Sequence, residues 1–566
     1  SMGCTQSTVA ASKGKDTYLA DVAPVNTEHP TFPNGQGLHK GMNVSGGGSR
    51  AFSWSMGVYR ALQNLDLIPM VEGISSVSGG TWCSSVFMFA KEYKGAPIDV
   101  CDLVGAPTTP GALTMEVLNQ PTAPIAHGIT QGKSTEILLK YLATDLCHEW
   151  ETWDRTIAEF VLSPFGLDSF KNRMASSDAD VSRIKEENPW LADEPFVTPA
   201  AGRPRVFVMN GTVLGPLNYK ATVDSAVSMQ MSPDYVGSPF YPEDKKVLYP
   251  VAPCIPGLGC IKPCKETLIV GGGLVEAFAF GGNAPAQGQS GGKVQMGAGP
   301  PFPLAQAVGI SSWAVGGVLD QERFLSKMAN SRANYWPVTS KILPGPQAAK
   351  VWEFSDGGNI DNAGLLALLQ RGARKTIWVC SSYRALSTSY NWKDATQANF
   401  DPEAAGVVWQ VYDKFGYLPP QSSGCCAWLS TSFLTHDQVF KKEDLLPLMQ
   451  KIVALKDAGK PAVVRDALDV IPNSYWGIQG GYKLEFIIIY LETSTEFQNQ
   501  LPEDTQKQIA EGKNGAFANY PIYSTTENNG VEDVLGLTPA QVSLLAAQSE
   551  FSVRQNVDMF ENFLSD

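Results

Sequence analysis

Hydrophobic and polar positions along the chain follow two periods, and each change of period marks an element. From about Gly41 a short apolar run, Met42-Asn43-Val44, breaks into the glycine-rich stretch Ser45-Gly46-Gly47-Gly48-Ser49-Arg50. A helical period follows over Ala51 to Leu65. Phe52, Met56 and Tyr59 line one face and Trp54, Val58, Ala61 and Leu65 another, so this helix is predicted to be buried. Ile74 to Val77 reads as a strand running into Ser78-Gly79-Gly80, and Thr81 to Ala90 as a second apolar helix. Further strand-like runs are Arg205 to Met209, Val351 to Phe354, Lys375 to Val379 and Leu484 to Leu491. The last is too short to span a bilayer and rich in β-branched residues, which predicts a buried central strand. Strands alternating with helices predict an α/β fold, a mostly parallel central sheet wrapped by helices.

Two regions interrupt this alternation. Residues from about 95 to 200 are polar, Trp-rich and helical in pattern, and read as an insertion and candidate cap over the site. Residues from about 281 to 303 are rich in Gly, Gln and Pro and predict a mobile loop. The expected organisation is an N-terminal segment, 1–38, followed by a single catalytic domain, 39–566, that carries the insertion.

Composition narrows the function classes. Apolar types make up 43% of the 566 residues and charged types only 17%, with 53 Gly and 38 Pro, which describes a large core with long loops rather than a coiled coil. The net charge of −13, with no Lys/Arg stripe to offset it, argues against nucleic acid as a partner. Ten scattered cysteines, among them Cys83, Cys101 and Cys380 in apolar surroundings, suggest free buried thiols in a reducing compartment. Cys254, Cys260 and Cys264 lack a fourth ligand and a nearby His, so no metal site and no cofactor are expected.

Three stretches carry candidate chemistry. Ser78, between a strand and a helix and followed by two glycines, has the setting of a nucleophile elbow, with Ser76 where the usual pattern has glycine. The helix N-terminus after it places partial positive charge where an oxyanion would form. Consecutive glycines at 46–48 allow backbone N–H groups to converge on one point, as an oxyanion hole requires. Neither a dinucleotide-binding glycine pattern nor a phosphate-loop lysine motif is matched, which makes nucleotide binding the weaker reading. Asp356, at the end of an apolar strand and before Gly357-Gly358, is in isolation an ordinary turn. It gains weight because none of the five histidines, His29, His39, His127, His148 and His436, follows a late strand as a triad base would.

The ordered stretches Ser45 to Ala51 (SGGGSRA), Ser78 to Trp82 (SGGTW) and Asp356 to Leu365 (DGGNIDNAGL) together resemble the group IV cytosolic phospholipase A2 and patatin-like acyl hydrolases, a superfamily that includes the fungal lysophospholipases. The resemblance implies Ser78 as nucleophile, Asp356 as its base, Gly47 and Gly48 as oxyanion donors and Arg50 as a contact for substrate phosphate. It implies hydrolysis of fatty-acyl esters of membrane phospholipids or lysophospholipids through an acyl-enzyme. Ser76 and Ala363 depart from the family pattern without removing a catalytic group. Only some forty residues precede the first motif, leaving no room there for a calcium-binding docking domain, and calcium-independent activity is expected. The rival reading is a membrane-anchored scaffold on a retired hydrolase fold.

The N-terminus offers an anchor. After Ser1-Met2, which looks like a cleavage remnant, Gly3-Cys4-Thr5-Gln6-Ser7 fits the N-myristoylation pattern, with Cys4 placed for a palmitoyl chain. One acyl chain holds a membrane marginally and two hold it stably. Dual acylation at Gly3 and Cys4 therefore predicts a cytoplasmic protein bound peripherally to a membrane surface.

Overall fold

In a computed structural model the residues described are 17–24, 32, 37–145, 152–217, 226–239, 246–251, 254–255, 259–260, 264–269, 273–285, 292–313, 331–337, 349–418, 436–525, 529–531, 533 and 535–565. They include a 13-stranded sheet. Its strands are β1 (Thr17–Pro24), β2 (Lys40–Val44), β3 (Gly73–Val77), β4 (Val206–Pro216), β5 (Val227–Met231), β6 (Tyr235–Ser238) and β7 (Gly273–Glu276). They continue with β8 (Gly292–Gly297), β9 (Ser331–Tyr335), β10 (Lys350–Asp356), β11 (Lys375–Cys380), β12 (Val463–Val470) and β13 (Tyr482–Tyr490). The spatial order is β8-β1-β7-β6-β5-β4-β3-β2-β11-β13-β12, with β10 on β4 and β9 on β10.

Parallel pairing occupies the centre, β4-β3-β2-β11-β13, as the apolar runs predict. Both flanks are antiparallel, and these strands account for most of what the sequence pattern did not foresee. Two differences concern whole segments. β1 lies in the stretch expected to precede the catalytic domain, yet it pairs with β7 and β8 inside the main sheet. β8 itself falls in the Gly/Gln/Pro-rich stretch expected to be a loop.

Alternation along the central strands builds a core on each face. Ile377, Val379, Ile487 and Ile489 point into one cluster with Met42, Val44 and Ile74. Trp378, Cys380, Phe486, Ile488 and Tyr490 point into the other. Successive residues thus fill both sides, which is why the second half of β13, Phe486 to Tyr490, reads as an unbroken apolar run.

The helices that matter for the site are α1 (Gly48–Asn64), α2 (Gly79–Phe89), α3 (Leu304–Ser312), α4 (Leu365–Gln370) and α5 (Pro539–Arg554). α1 is buried on nearly all sides, as its two apolar faces predict, because α2 and α5 both pack on it. A Cβ added to Gly57 would sit 1.9 Å from the Ala546 carbonyl oxygen, so α1 and α5 touch backbone to backbone there. The inserted region shares this core: Trp153, Phe160, Val161 and Leu162 join the cluster that holds Trp82. Trp153 Nε1 also donates to Ser312 Oγ on α3 (3.2 Å). Among the cysteines, Cys83 and Cys380 are buried as expected, whereas Cys101 is exposed. No described helix is long and apolar enough to cross a membrane.

Candidate functional site

The site forms where β4 changes partners. Its first half runs parallel to β3, with Val77 opposite Asn210. Its second half pairs antiparallel with β10, with Asp356 opposite Gly211. β10 therefore enters from beyond the carboxyl ends of the central strands and runs back toward them, delivering Asp356 one residue pair past the end of β3. A carboxylate at a strand end was expected; the antiparallel approach was not, because strand direction is a non-local property.

Ser78 occupies the turn between β3 and α2 with φ 53° and ψ −127°. A non-glycine residue at positive φ is strained, and such residues cluster where a side chain must be presented in one orientation. The elbow is tight: a Cβ on Gly79 would lie 2.0 Å from the Gly48 carbonyl oxygen, so only glycine fits there. The Ser78 hydroxyl lies close enough to the Asp356 carboxylate to lower its pKa. Ser78 is 9% exposed and Asp356 3% exposed. Burial pushes the Asp356 carboxyl up to about 7, while the Gly358 amide (2.7 Å to Oδ1) and the Ser78 hydroxyl pull it back. A base poised near neutrality suits proton abstraction from a hydroxyl.

The glycine run wraps the other side of Ser78. Gly46 N–H donates to the Asn362 carbonyl (3.1 Å). The amides of Gly47 (φ 137°) and Gly48 (φ 55°), at the N-terminus of α1, have no acceptor among the described residues. Two helix N-termini, those of α1 and α2, thus converge at this end of the sheet and favour negative charge.

Arg50 lies beside the glycine run. It is 4% exposed, its Nη1 donates to the Tyr523 carbonyl (2.6 Å), and no described carboxylate pairs with it. Its Nη2 lies beside Gly47, where an added Cβ would come within 2.5 Å. Burial lowers its pKa to about 10. Here Arg50 braces the glycine loop against the segment around Tyr523.

Several positioning groups escaped the sequence. The Ser311 carbonyl at the end of α3 accepts from the Ser78 amide (2.9 Å), and the Trp313 carbonyl accepts from the Asp356 amide (3.3 Å). One helix end therefore holds both members of the pair. Ser76, at the departure from the glycine pattern, shares a hydrogen bond with Thr81 Oγ1 (2.9 Å), which in turn bonds Ser311 Oγ (2.8 Å). The serine replaces a glycine with a hydroxyl that locks strand, elbow and α3 together. Ala363 lies buried in the turn after Asp361, its amide held by the Asp361 carboxylate (3.1 Å).

The described histidines are elsewhere. His39 precedes β2 at the opposite end of the sheet, His127 bonds the Tyr93 hydroxyl (2.9 Å), and His436 stacks on Tyr475. Gly3 and Cys4, the expected acylation sites, lie outside the described residues, as do His29 and His148. The backbone register sets Cys254 opposite Cys260 across a two-stranded hairpin, and Cys264 opposite Val251 in the neighbouring one. Among the described residues no cluster of His, Cys, Asp or Glu could hold a metal ion.

Fold and site together define a mixed α/β protein with a serine–carboxylate pair at a strand-to-helix elbow. No protein-family model and no curated protein matches the chain. Solved structures of human GIVD cytosolic phospholipase A2 align with it at low identity. One covers 93% of this chain and 62% of its own, at 11% identity and a TM-score of 0.42. A complex of that protein with methyl gamma-linolenyl fluorophosphonate covers 95% of this chain and 59% of its own, at 12% identity and a TM-score of 0.39. The chain thus spans about three fifths of the length of these structures.

Proposed function

We propose that the chain is a serine hydrolase of lipid fatty-acyl esters, of the phospholipase A2 or lysophospholipase type. The observation that carries this reading is a strained, elbow-borne Ser78 whose hydroxyl lies beside the buried Asp356 carboxylate and lowers its pKa. In the first step Asp356 takes the Ser78 proton as the hydroxyl oxygen attacks the ester carbonyl. The Gly47 and Gly48 amides receive the oxyanion, the ester bond breaks, and the lyso-product leaves with the proton. In the second step water, deprotonated by Asp356, attacks the acyl-serine and releases the fatty acid. Such donors are typically worth about 3–4 kcal/mol of transition-state stabilisation each.

The lipid substrate class rests on the three ordered motifs. Acyl chains on Gly3 and Cys4 would hold the enzyme at the cytoplasmic face of a membrane, where its substrate lies. The test is fatty-acid release from phospholipid, lysophospholipid, galactolipid and neutral-glyceride vesicles by wild type and Ser78→Ala, with calcium and with chelator. Release that needs Ser78 is expected, and the chelator arm reads whether calcium is required. If wild type releases nothing and a fluorophosphonate does not label Ser78, the scaffold alternative replaces this reading.

A further inference from the structure

Lys414 is wholly buried, 0% exposed, on the turn Asp413–Phe415. Its ammonium meets three carboxylates: Asp413 at 2.9 Å, Asp437 at 3.0 Å and Asp361 at 3.1 Å. Lysine is almost never buried unless paired, and buried ionic clusters add little net stability over apolar residues of the same volume. Three carboxylates around one cation leave this cluster short of positive charge. Desolvation opposes the ammonium, yet the three aspartates outweigh it and raise the Lys414 pKa. Burial pushes Asp413 up to about 6 against the pull of Lys414. So costly an arrangement calls for a role other than packing.

Its geometry leads to the dyad. Asp361 belongs to the loop that follows Asp356, and its amide donates to the Gly357 carbonyl (2.9 Å). Its carboxylate accepts from the amides of Ala363 and Gly364 (3.1 Å each) and of Leu366 (2.9 Å), which fixes the entry into α4. The next residue, Asn362, takes the Gly46 amide on its carbonyl. The Asn362 side chain donates to Gln410 Oε1 (2.6 Å), four residues before Lys414. Loop 357–364 therefore touches the base at one end and the glycine run at the other, and Lys414 with Gln410 anchors its middle.

We propose that Lys414 is a positioning residue: through Asp361 and Asn362 it sets the oxyanion glycines against the Ser78–Asp356 pair. The proposal rests on the acyl-hydrolase reading for its catalytic consequence, and on geometry alone for its structural one. It is tested in the full chain with Lys414→Met, Lys414→Arg and Asp437→Asn, each read by kcat and KM on a fatty-acyl ester and by amide hydrogen exchange without substrate. Lys414→Met should lower kcat about 10²-fold with KM little changed, as small misplacements of reacting groups do. It should also speed exchange in residues 357–366 and 46–49. Lys414→Arg should recover part of both. Asp437→Asn, which alters only the far arm of the cluster, should leave kcat near wild type.

A folded Lys414→Met with wild-type kcat and wild-type exchange in those two segments would overturn the proposal. So would an Asp437→Asn that lowers kcat equally, since that marks a general structural role. Should Lys414→Met not fold, Lys414→Arg carries the test, because it leaves the Asp361 carboxylate on the amides of Ala363, Gly364 and Leu366: unchanged exchange over 357–366 and 46–49 defeats the proposal and faster exchange supports it. Wild type without Ser78-dependent hydrolysis would sink the hydrolase reading, and the exchange data would still decide the role of Lys414.

Discussion

Asp356 shows how one buried group shapes both rate and stability. Its carboxyl is raised from 3.8 to about 7, chiefly by burial. In the proposed role of base it must be ionised, so kcat/KM should climb as pH rises through about 7 and level off above it; a flat profile between pH 5 and 9 would exclude Asp356 as the base. The stability effect has the opposite sense. Between about pH 4 and 7 the folded chain keeps a proton that the unfolded chain has released, so stability from this group falls as pH rises across that window and is flat above. Asp356→Asn should therefore abolish hydrolysis yet raise stability at pH 8, by at most on the order of 4 kcal/mol, measured by urea unfolding. Loss of stability at pH 8 would contradict this. Thr81→Val should cost about 1–3 kcal/mol, because it removes the hydroxyl that Ser76 and Ser311 share and leaves each with one long bond, to the Val208 carbonyl (3.4 Å) and from the Ser78 amide (3.3 Å). Thermal unfolding of that variant beside Thr81→Ser would measure it.

At the scale of elements, the strand–turn–helix units were legible and the pairings were not. β2, β3, α1 and α2 announce themselves by a change of hydrophobic period at a glycine cluster, a signal contained within some twenty residues. The flanking strands are short, polar or glycine-bearing, and their partners lie far along the chain, so nothing local marks them. The direction of β10 belongs to the same class. The carbonyls of Ser311, Trp313 and Tyr523 hold Ser78, Asp356 and Arg50, but a backbone oxygen carries no residue identity and leaves no trace in a motif. Lys414-Phe415 likewise looks like a surface turn until Asp361 and Asp437 fold onto it. The α1–α5 contact makes a further prediction: Gly57→Ala forces the helices apart at Ala546 and should destabilise by about 1–3 kcal/mol. A melting temperature equal to wild type would mean the contact yields without strain.

Across the whole molecule, the site draws on parts scattered from one end of the chain to the other. The Ser78 elbow comes early, the base arrives on a strand from the middle, and Arg50 is braced by Tyr523 across 473 residues of sequence. Folding dominated by such distant contacts is slow. It also orders events during synthesis. At the usual pace of translation, on the order of tens of seconds separate the emergence of the glycine loop from that of the segment that steadies it. A ribosome carrying the elbow alone displays a serine with no base and an unbraced oxyanion loop. On the proposed acyl-hydrolase reading, such a half-made chain could not hydrolyse an ester, and activity would arrive only once the segment around Tyr523 has emerged.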